Sequence, residues 1–336
     1  MGQNENYRNL LVTGGAGFVG SNFIRFVLNV DANVRVTNLD ALTYSGNLQN
    51  LDGLDQMGRY RFVKGDIRDP NTVGPLVNES DAVIHFAAES HVDRSIADSS
   101  TFVTTNVLGT QVLLEACRTA SPDSGRRMIY IGTDEVYGSL PIDRKDLLFT
   151  EDSPISPNSP YAASKAGGEL LARSYHQTYG TDVIITRCSN NFGPYQFPEK
   201  VIPLFVTNLI QDRPVPLYGD GENVRDWIHV DDHCEAILKI LTFGSAGNIY
   251  NIGGRNQCSN LELTRLILQL LGKGEEMIEH VVDRLGHDMR YAIDASKIES
   301  ELGWTPSRSE WPGALKKTIE WYIENQKWWI NLIKKH

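Results

Sequence analysis

Tyr161-Ala162-Ala163-Ser164-Lys165 sets a phenol and an ammonium four residues apart, on one face if the segment is helical. A phenol of pKa about 10 is a poor base at neutral pH. A nearby ammonium and a positively charged nicotinamide both favour the phenolate, which could then take a hydroxyl proton while hydride leaves the same carbon. Alone, this spacing also occurs by chance on surface helices. Gly132-Thr133-Asp134-Glu135-Val136-Tyr137-Gly138 places a hydroxyl ahead of two adjacent carboxylates. Two carboxylates in one site do not both ionise easily, so their pKa values separate and the pair can offer one acid and one base. The alternatives for this pair are a helix cap or a solvated turn.

A third cluster is the glycine run Gly14-Gly15-Ala16-Gly17-Phe18-Val19-Gly20. It follows the apolar segment Leu10-Leu11-Val12-Thr13 and opens an amphipathic segment that runs through Leu28. Glycine permits the tight turn and the close approach of a pyrophosphate to backbone, and the helix N-terminus supplies N–H donors. Asp40 follows Gly20 by 20 residues, at the end of the second apolar segment. A carboxylate there accepts from both ribose hydroxyls of adenosine and repels a 2′-phosphate, which favours NAD over NADP. A plain loop acid is the alternative for Asp40. Asp66-Ile67 ends the third strand, where an adenine edge would lie.

These groups need a scaffold, and the first half of the chain reads as one. Short apolar strands are expected at Leu10–Thr13, Val34–Asp40, Arg61–Val63, Ala82–Phe86, Met128–Ile131 and Val183–Thr186, with long helices at Thr101–Thr119 and Tyr161–Tyr179. Such alternation calls for an α/β, Rossmann-type, doubly wound parallel sheet, with ligands beyond the carboxyl ends of its strands. After Arg187 the rhythm changes to shorter elements separated by Asn, Pro and Gly. Ser259 with Glu262 forms a capping-box pattern opening a helix toward Leu271, and Glu310–Trp329 is expected to be helical. The expected plan is residues 1–187 for cofactor and catalysis. Residues 188–336 form a smaller, mixed α/β substrate-binding part, with some exchange of segments between the two.

At about 150 residues per domain, 336 residues suit this plan, and 41% hydrophobic content supplies a core. With 32 Lys and Arg against 42 Asp and Glu, the formal charge is −10. Such a surface disfavours nucleic acid and anionic membrane as partners, yet a few local cations suffice for one diphosphate. Cys117, Cys188, Cys234 and Cys258 lack metal-ligand spacing, so no metal site is expected. Met1–Arg8 has no apolar leader-like run, and a cytoplasmic setting is expected. His85, inside a strand, reads as structural, and the loop Ser139–Asp152 receives no role.

On these residues the chain resembles the extended short-chain dehydrogenase/reductases, and among them the dTDP-glucose 4,6-dehydratases. The similarity continues through Ala87-Ala88-Glu89-Ser90-His91, Ser189-Asn190-Asn191-Phe192-Gly193-Pro194, Glu199-Lys200, Tyr218-Gly219-Asp220-Gly221, Arg225-Asp226-Trp227 and Gly286-His287-Asp288-Met289-Arg290-Tyr291. Sister epimerases and decarboxylases usually carry Ser-Ser or Thr-Ser where Asp134-Glu135 stands. The resemblance implies oxidation at glucose C4, with Tyr161 as base, Thr133 polarising the oxygen and Lys165 orienting ribose. Glu135 then removes the C5 proton, Asp134 protonates the departing 6-hydroxyl, and hydride returns to C6. The usual context is a rhamnose-type deoxysugar route.

It also implies site residues. The NAD half would use Gly14, Gly17, Phe18, Val19 and Gly20, then Asp40, Ala41, Leu42 and Thr43, then Asp66 and Ile67. Ala87, Ala88, Ser90, Thr105, Tyr161, Lys165 and Asn191 complete it. The nucleotide-sugar half would use Ser90, Thr133, Asn190, Glu199, Lys200 and Pro216, with Tyr218, Arg225, Asn260, Arg290 and Tyr291. Arg225 and Arg290 suit diphosphate oxygens because guanidinium presents a planar fork of donors. A homodimer through a four-helix bundle would cover the second apolar face of the two long helices; plain sheet covering is the alternative. The rival functions are a sibling epimerase or decarboxylase, which Asp134-Glu135 disfavours, and a silent NAD-binding sensor, which should have lost Tyr161, Lys165 or the acid pair.

Overall fold

In the computed structural model, which describes residues 7–120 and 126–334, apolar segments of four to seven residues form the main sheet. Its strands are β1 (Asn9–Thr13), β2 (Arg35–Asp40), β3 (Tyr60–Lys64), β4 (Ala82–His85), β5 (Arg127–Thr133) and β6 (Val183–Cys188). A seventh joins from far along the chain. After β7 (Asn190–Phe192), β8 (Val215–Tyr218) and β9 (Val224–His229), strand β10 (Ile249–Ile252) pairs in parallel with β6. The sheet order is β10-β6-β5-β4-β1-β2-β3, parallel throughout. All four residues of β4 and all but the first of β1 are buried, as expected for strands covered on both faces.

One face is covered by the helices Phe18–Val30 and Val230–Phe243, which contribute Phe23, Ile24, Val27, Ile237 and Ile240 to one core. The other face carries Pro70–Asn78, Thr110–Thr119 and Pro160–Tyr179, with Val73, Leu113, Leu114 and Ala172 in a second core. The third core lies in the smaller part, under Val201–Ile210, Asn260–Leu271 and Gly313–Glu324. There β9 pairs with both β7 and β11 (Gln257–Ser259), and β8 pairs with β12 (Ile278–Val281).

The division at residue 187 is crossed. Strand β6 spans it, and Val230–Phe243 and β10 return to the large sheet. An apolar helix and a four-residue strand carry no local signal of which sheet they join. The expected helix Thr101–Thr119 is helical from Ser100 to Thr119 with a π-helical stretch at Val103–Gly109. The tail is two helices, Gly313–Glu324 and Gln326–Ile333. Asn325 breaks it: its side-chain amide bonds the Trp321 carbonyl at 2.8 Å, competing with the backbone. Among the described residues no helix is long and apolar enough to cross a membrane.

Candidate active site

The carboxyl ends of the strands border one cleft of about 330 Å³, on the side where doubly wound sheets place ligands. Its floor is the glycine turn. Gly14 adopts φ +73°, and a Cβ there would lie 2.5 Å from the Ala87 nitrogen, so only glycine lets the turn close against the end of β4. Gly17 N donates to the Gly14 carbonyl at 3.1 Å, and the Phe18–Val30 helix starts there with no side-chain cap, leaving its N–H groups to the cleft. Asp40 accepts from Ala16 N at 2.9 Å and Leu42 N at 2.7 Å. Two of its roughly four lone-pair sites are thus filled, and two remain for ligand hydroxyls. Burial pushes its carboxyl above the usual range. A cradle with no room for a Cβ, beside a carboxylate with spare acceptor capacity, fits a dinucleotide.

The helix Pro160–Tyr179 is delimited by its sequence. Ser159 accepts from Ala162 N at 3.1 Å, Pro160 occupies the first turn, and Gly180 ends the helix at φ +70°. Tyr161 is buried, and the Thr133 side chain lies near enough to favour its ionised form. Burial, then the charge of Glu135, hold its phenol well above the ordinary value. Lys165 Nζ donates to the Ile131 carbonyl at 2.7 Å and lies 4.4 Å from the centre of the Tyr130 ring; burial pushes it down to about 8. The ammonium is bonded at Ile131, two residues before Thr133 on β5, and Thr133 lowers the phenol.

Strand β5 ends at Thr133, and Asp134–Tyr137 is a single 3₁₀ turn capped by the Thr133 hydroxyl, which accepts from Glu135 N at 3.3 Å. The turn separates the two acids. Asp134 is 2% exposed and its Oδ2 has no hydrogen-bond partner. Burial, Glu135 and Asp226 push it well above the carboxylate range. Burial also raises Glu135, but Arg284, Arg225 and Lys200 oppose it. Asp134 is therefore the harder of the two to ionise and Glu135 the easier.

Residues 11–310 match the family described as GDP-mannose 4,6 dehydratase. The dTDP-glucose 4,6-dehydratase of Streptomyces niveus is 52% identical, covering 95% of this chain and 94% of its own. This chain belongs to the dTDP-glucose 4,6-dehydratase family. The solved DesIV, a dTDP-glucose 4,6-dehydratase from Streptomyces venezuelae with NAD bound, is 53% identical, with a TM-score of 0.91 over 96% of this chain and 99% of that one. The UDP-glucose 4-epimerase of Thermus thermophilus, solved with NAD, still has a TM-score of 0.84 at 30% identity, covering 94% and 99%. The fold is thus common to dehydratase and epimerase.

For this dehydratase family member, the cleft lining includes Gly14, Gly17, Phe18, Val19, Gly20, Asp40, Ala41 and Thr43. It continues with Asp66, Ile67, Ala87, Ala88, Ser90, Thr105, Asn190, Asn191, Glu199 and Lys200. Leu42 is the exception: its side chain packs against the first core and only its N–H turns to Asp40. Pro216 and Tyr218 stand on β8, Arg225 on β9 and Asn260 at a helix start, all outside that lining. Arg225 nevertheless acts on Glu135, and its guanidinium lies 4.3 Å from the centre of the Tyr291 ring. Tyr291 donates to Asp288 Oδ2 at 2.5 Å. His85 bridges Thr13 and Thr110 through its two ring nitrogens, at 2.8 and 3.0 Å, as a structural strand residue.

Arg290 requires correction. Its guanidinium is bonded to the carbonyls of Arg144, Lys145 and Leu147 and to Gln257 Oε1, through all three nitrogens. Five such bonds match the five N–H donors of arginine and leave none for a diphosphate. Arg290 fastens the strap after the acid pair. The cation that sequence reading missed is Arg284, which faces Glu135 and whose buried Nε has no partner. Its one signal was a position two residues before Gly286-His287-Asp288. Arg290→Met is expected to lower stability by about 1–3 kcal/mol, because three partly buried carbonyls lose their donor. Thermal unfolding should show the loss while NAD affinity stays within about twofold; an unchanged melting temperature would refute the clasp.

Proposed function

We propose that the protein converts dTDP-glucose to dTDP-4-keto-6-deoxyglucose with bound NAD. The observation that carries this reading is the acid pair in one cleft with Tyr161 and Thr133, Asp134 buried with an unpartnered Oδ2 and Glu135 facing Arg284, Arg225 and Lys200. The glycine turn and Asp40 would hold the dinucleotide, with Asp66 and Ile67 beside its adenine. When bound, NAD supplies the acceptor for the C4 hydride and gives it back at C6. Tyr161 takes the C4 hydroxyl proton while Thr133 steadies the same oxygen. Elimination without a 4-ketone would need an unactivated carbanion, so the acids act second. Glu135 removes the C5 proton, the proton on the unpartnered Asp134 Oδ2 goes to the departing 6-hydroxyl, and Glu135 returns a proton to C5 when C6 receives the hydride. Lys200, Arg225 and Arg284 would offset the charge of the diphosphate.

Incubation with dTDP-glucose, UDP-glucose and GDP-mannose in parallel, read by mass for loss of one water, tests the reading. Dehydration of dTDP-glucose alone is expected; epimerised product without loss of water would overturn it. We further propose a homodimer, supported by Val103, Leu108 and Leu170, about half exposed on the two long helices. A cytoplasmic setting is supported by four unpaired cysteines.

A further inference from the structure

His233 lies in the helix Val230–Phe243, fully buried, and borders the cleft beside Asn191. Its role follows from donor and acceptor accounting around Asn191. The Asn191 Nδ2 donates to the Ser189 carbonyl at 3.0 Å and to Cys188 Sγ at 3.5 Å. A carbonyl only accepts, so the amide has one orientation, with Oδ1 toward His233 Nδ1 at 2.9 Å. An amide oxygen also only accepts, so Nδ1 carries the hydrogen and Nε2 is a bare lone pair. That Nε2 is buried with no partner among the described residues. Burial pushes the imidazole down to about 3, so it stays neutral across the working range. The main-chain carbonyl of Asn191 is held as well, by Gln196 Nε2 at 2.9 Å.

We infer that His233 is a positioning residue for the cofactor half of the cleft: its Nδ1–H fixes the Asn191 amide so that the free lone pair of Oδ1 is presented to a ligand donor. Both N–H groups of that amide are used inside the protein, so Asn191 can meet a ligand only as an acceptor. The matching groups on a dinucleotide are a carboxamide N–H or a ribose hydroxyl. Without the imidazole donor Oδ1 loses its partner inside the protein, so the amide can swing away from the place where it meets the ligand. This inference rests on the reading that the cleft holds NAD.

The test is titration of NAD into the full-length protein, with wild-type turnover of dTDP-glucose measured alongside. His233→Phe keeps the ring volume and loses the donor, and should weaken NAD binding about tenfold. His233→Asn sets an amide N–H where Nδ1 stands and should remain within about threefold of wild type. His233→Gln carries its amide one bond further out and should resemble the Phe variant; it decides the matter if the Phe variant fails to fold. In the double variant with Asn191→Ala, the His233→Phe loss should largely vanish, because both changes remove one contact. Equal losses in the Asn and Gln variants, or additive losses in the double variant, would overturn the role. A wild-type chain that binds NAD but does not dehydrate dTDP-glucose would sink the proposed reaction and leave this result standing.

Discussion

Tyr161→Phe is expected to slow formation of the 4-keto sugar by about 10²–10⁴-fold, the usual contribution of a positioned acid–base group, while NAD stays bound. The substitution is sterically quiet. Tyr161 packs edge-on against Phe102 at 6.3 Å between ring centres, and its backbone N–H bonds Ser95 Oγ at 3.1 Å, contacts that phenylalanine keeps. What disappears is the hydroxyl that meets Thr133. Burial and Glu135 hold the phenol high in the protein alone, so the positive charge of a bound nicotinamide is needed to bring it into range. Product analysis by mass, with NAD content measured on the same sample, checks the outcome; undiminished turnover would remove Tyr161 from the mechanism.

The second large effect belongs to the acid pair. Asp134→Asn combined with Glu135→Gln preserves shape and removes both the proton and its acceptor, so dehydration should fall by about 10²–10⁴-fold. Oxidation at C4 should persist in part, visible as nicotinamide reduction without loss of water. Equal loss of both would contradict the division of labour between Tyr161 and the acids. Stability supplies a second readout with a fixed sign. Burial raises Asp134 in the folded state, so the folded protein binds more protons than the unfolded chain between the unfolded value of about 4 and the folded one. Stability therefore falls as pH rises through that window, and Asp134→Asn alone should raise the melting temperature at neutral pH.

Wherever chemistry rests on local spacing, the sequence was informative. The first six strands are short apolar runs, and the glycine turn follows the first of them at once, because backbone sterics demand glycine at Gly14. Tyr161 and Lys165 share a helix whose start and stop are written as Ser159-Pro160 and Gly180. The capping box Ser259–Glu262 forms as its spacing requires, with Ser259 N donating to Glu262 at 2.7 Å. These features depend on neighbours within a few residues. Local pattern therefore determines them.

The remaining features were decided by groups distant along the chain. Arg284 and Arg290 lie six residues apart on one segment, and nothing local says which faces Glu135. The carbonyls of Arg144, Lys145 and Leu147 claim Arg290, which leaves Arg284 for the site. Likewise Asp134 and Glu135 are chain neighbours with the same charge. Their separation into acid and base comes from Asp226 near one and from Lys200, Arg225 and Arg284 around the other. The return of β10 to the large sheet and the His233 bond to Asn191 have the same origin. The sequence by itself determined the glycine cradle, the helix that carries Tyr161 and Lys165, and the family. Only the tertiary structure decided which acid is harder to ionise and which cation faces the other, because burial and Coulomb interactions depend on distance in space.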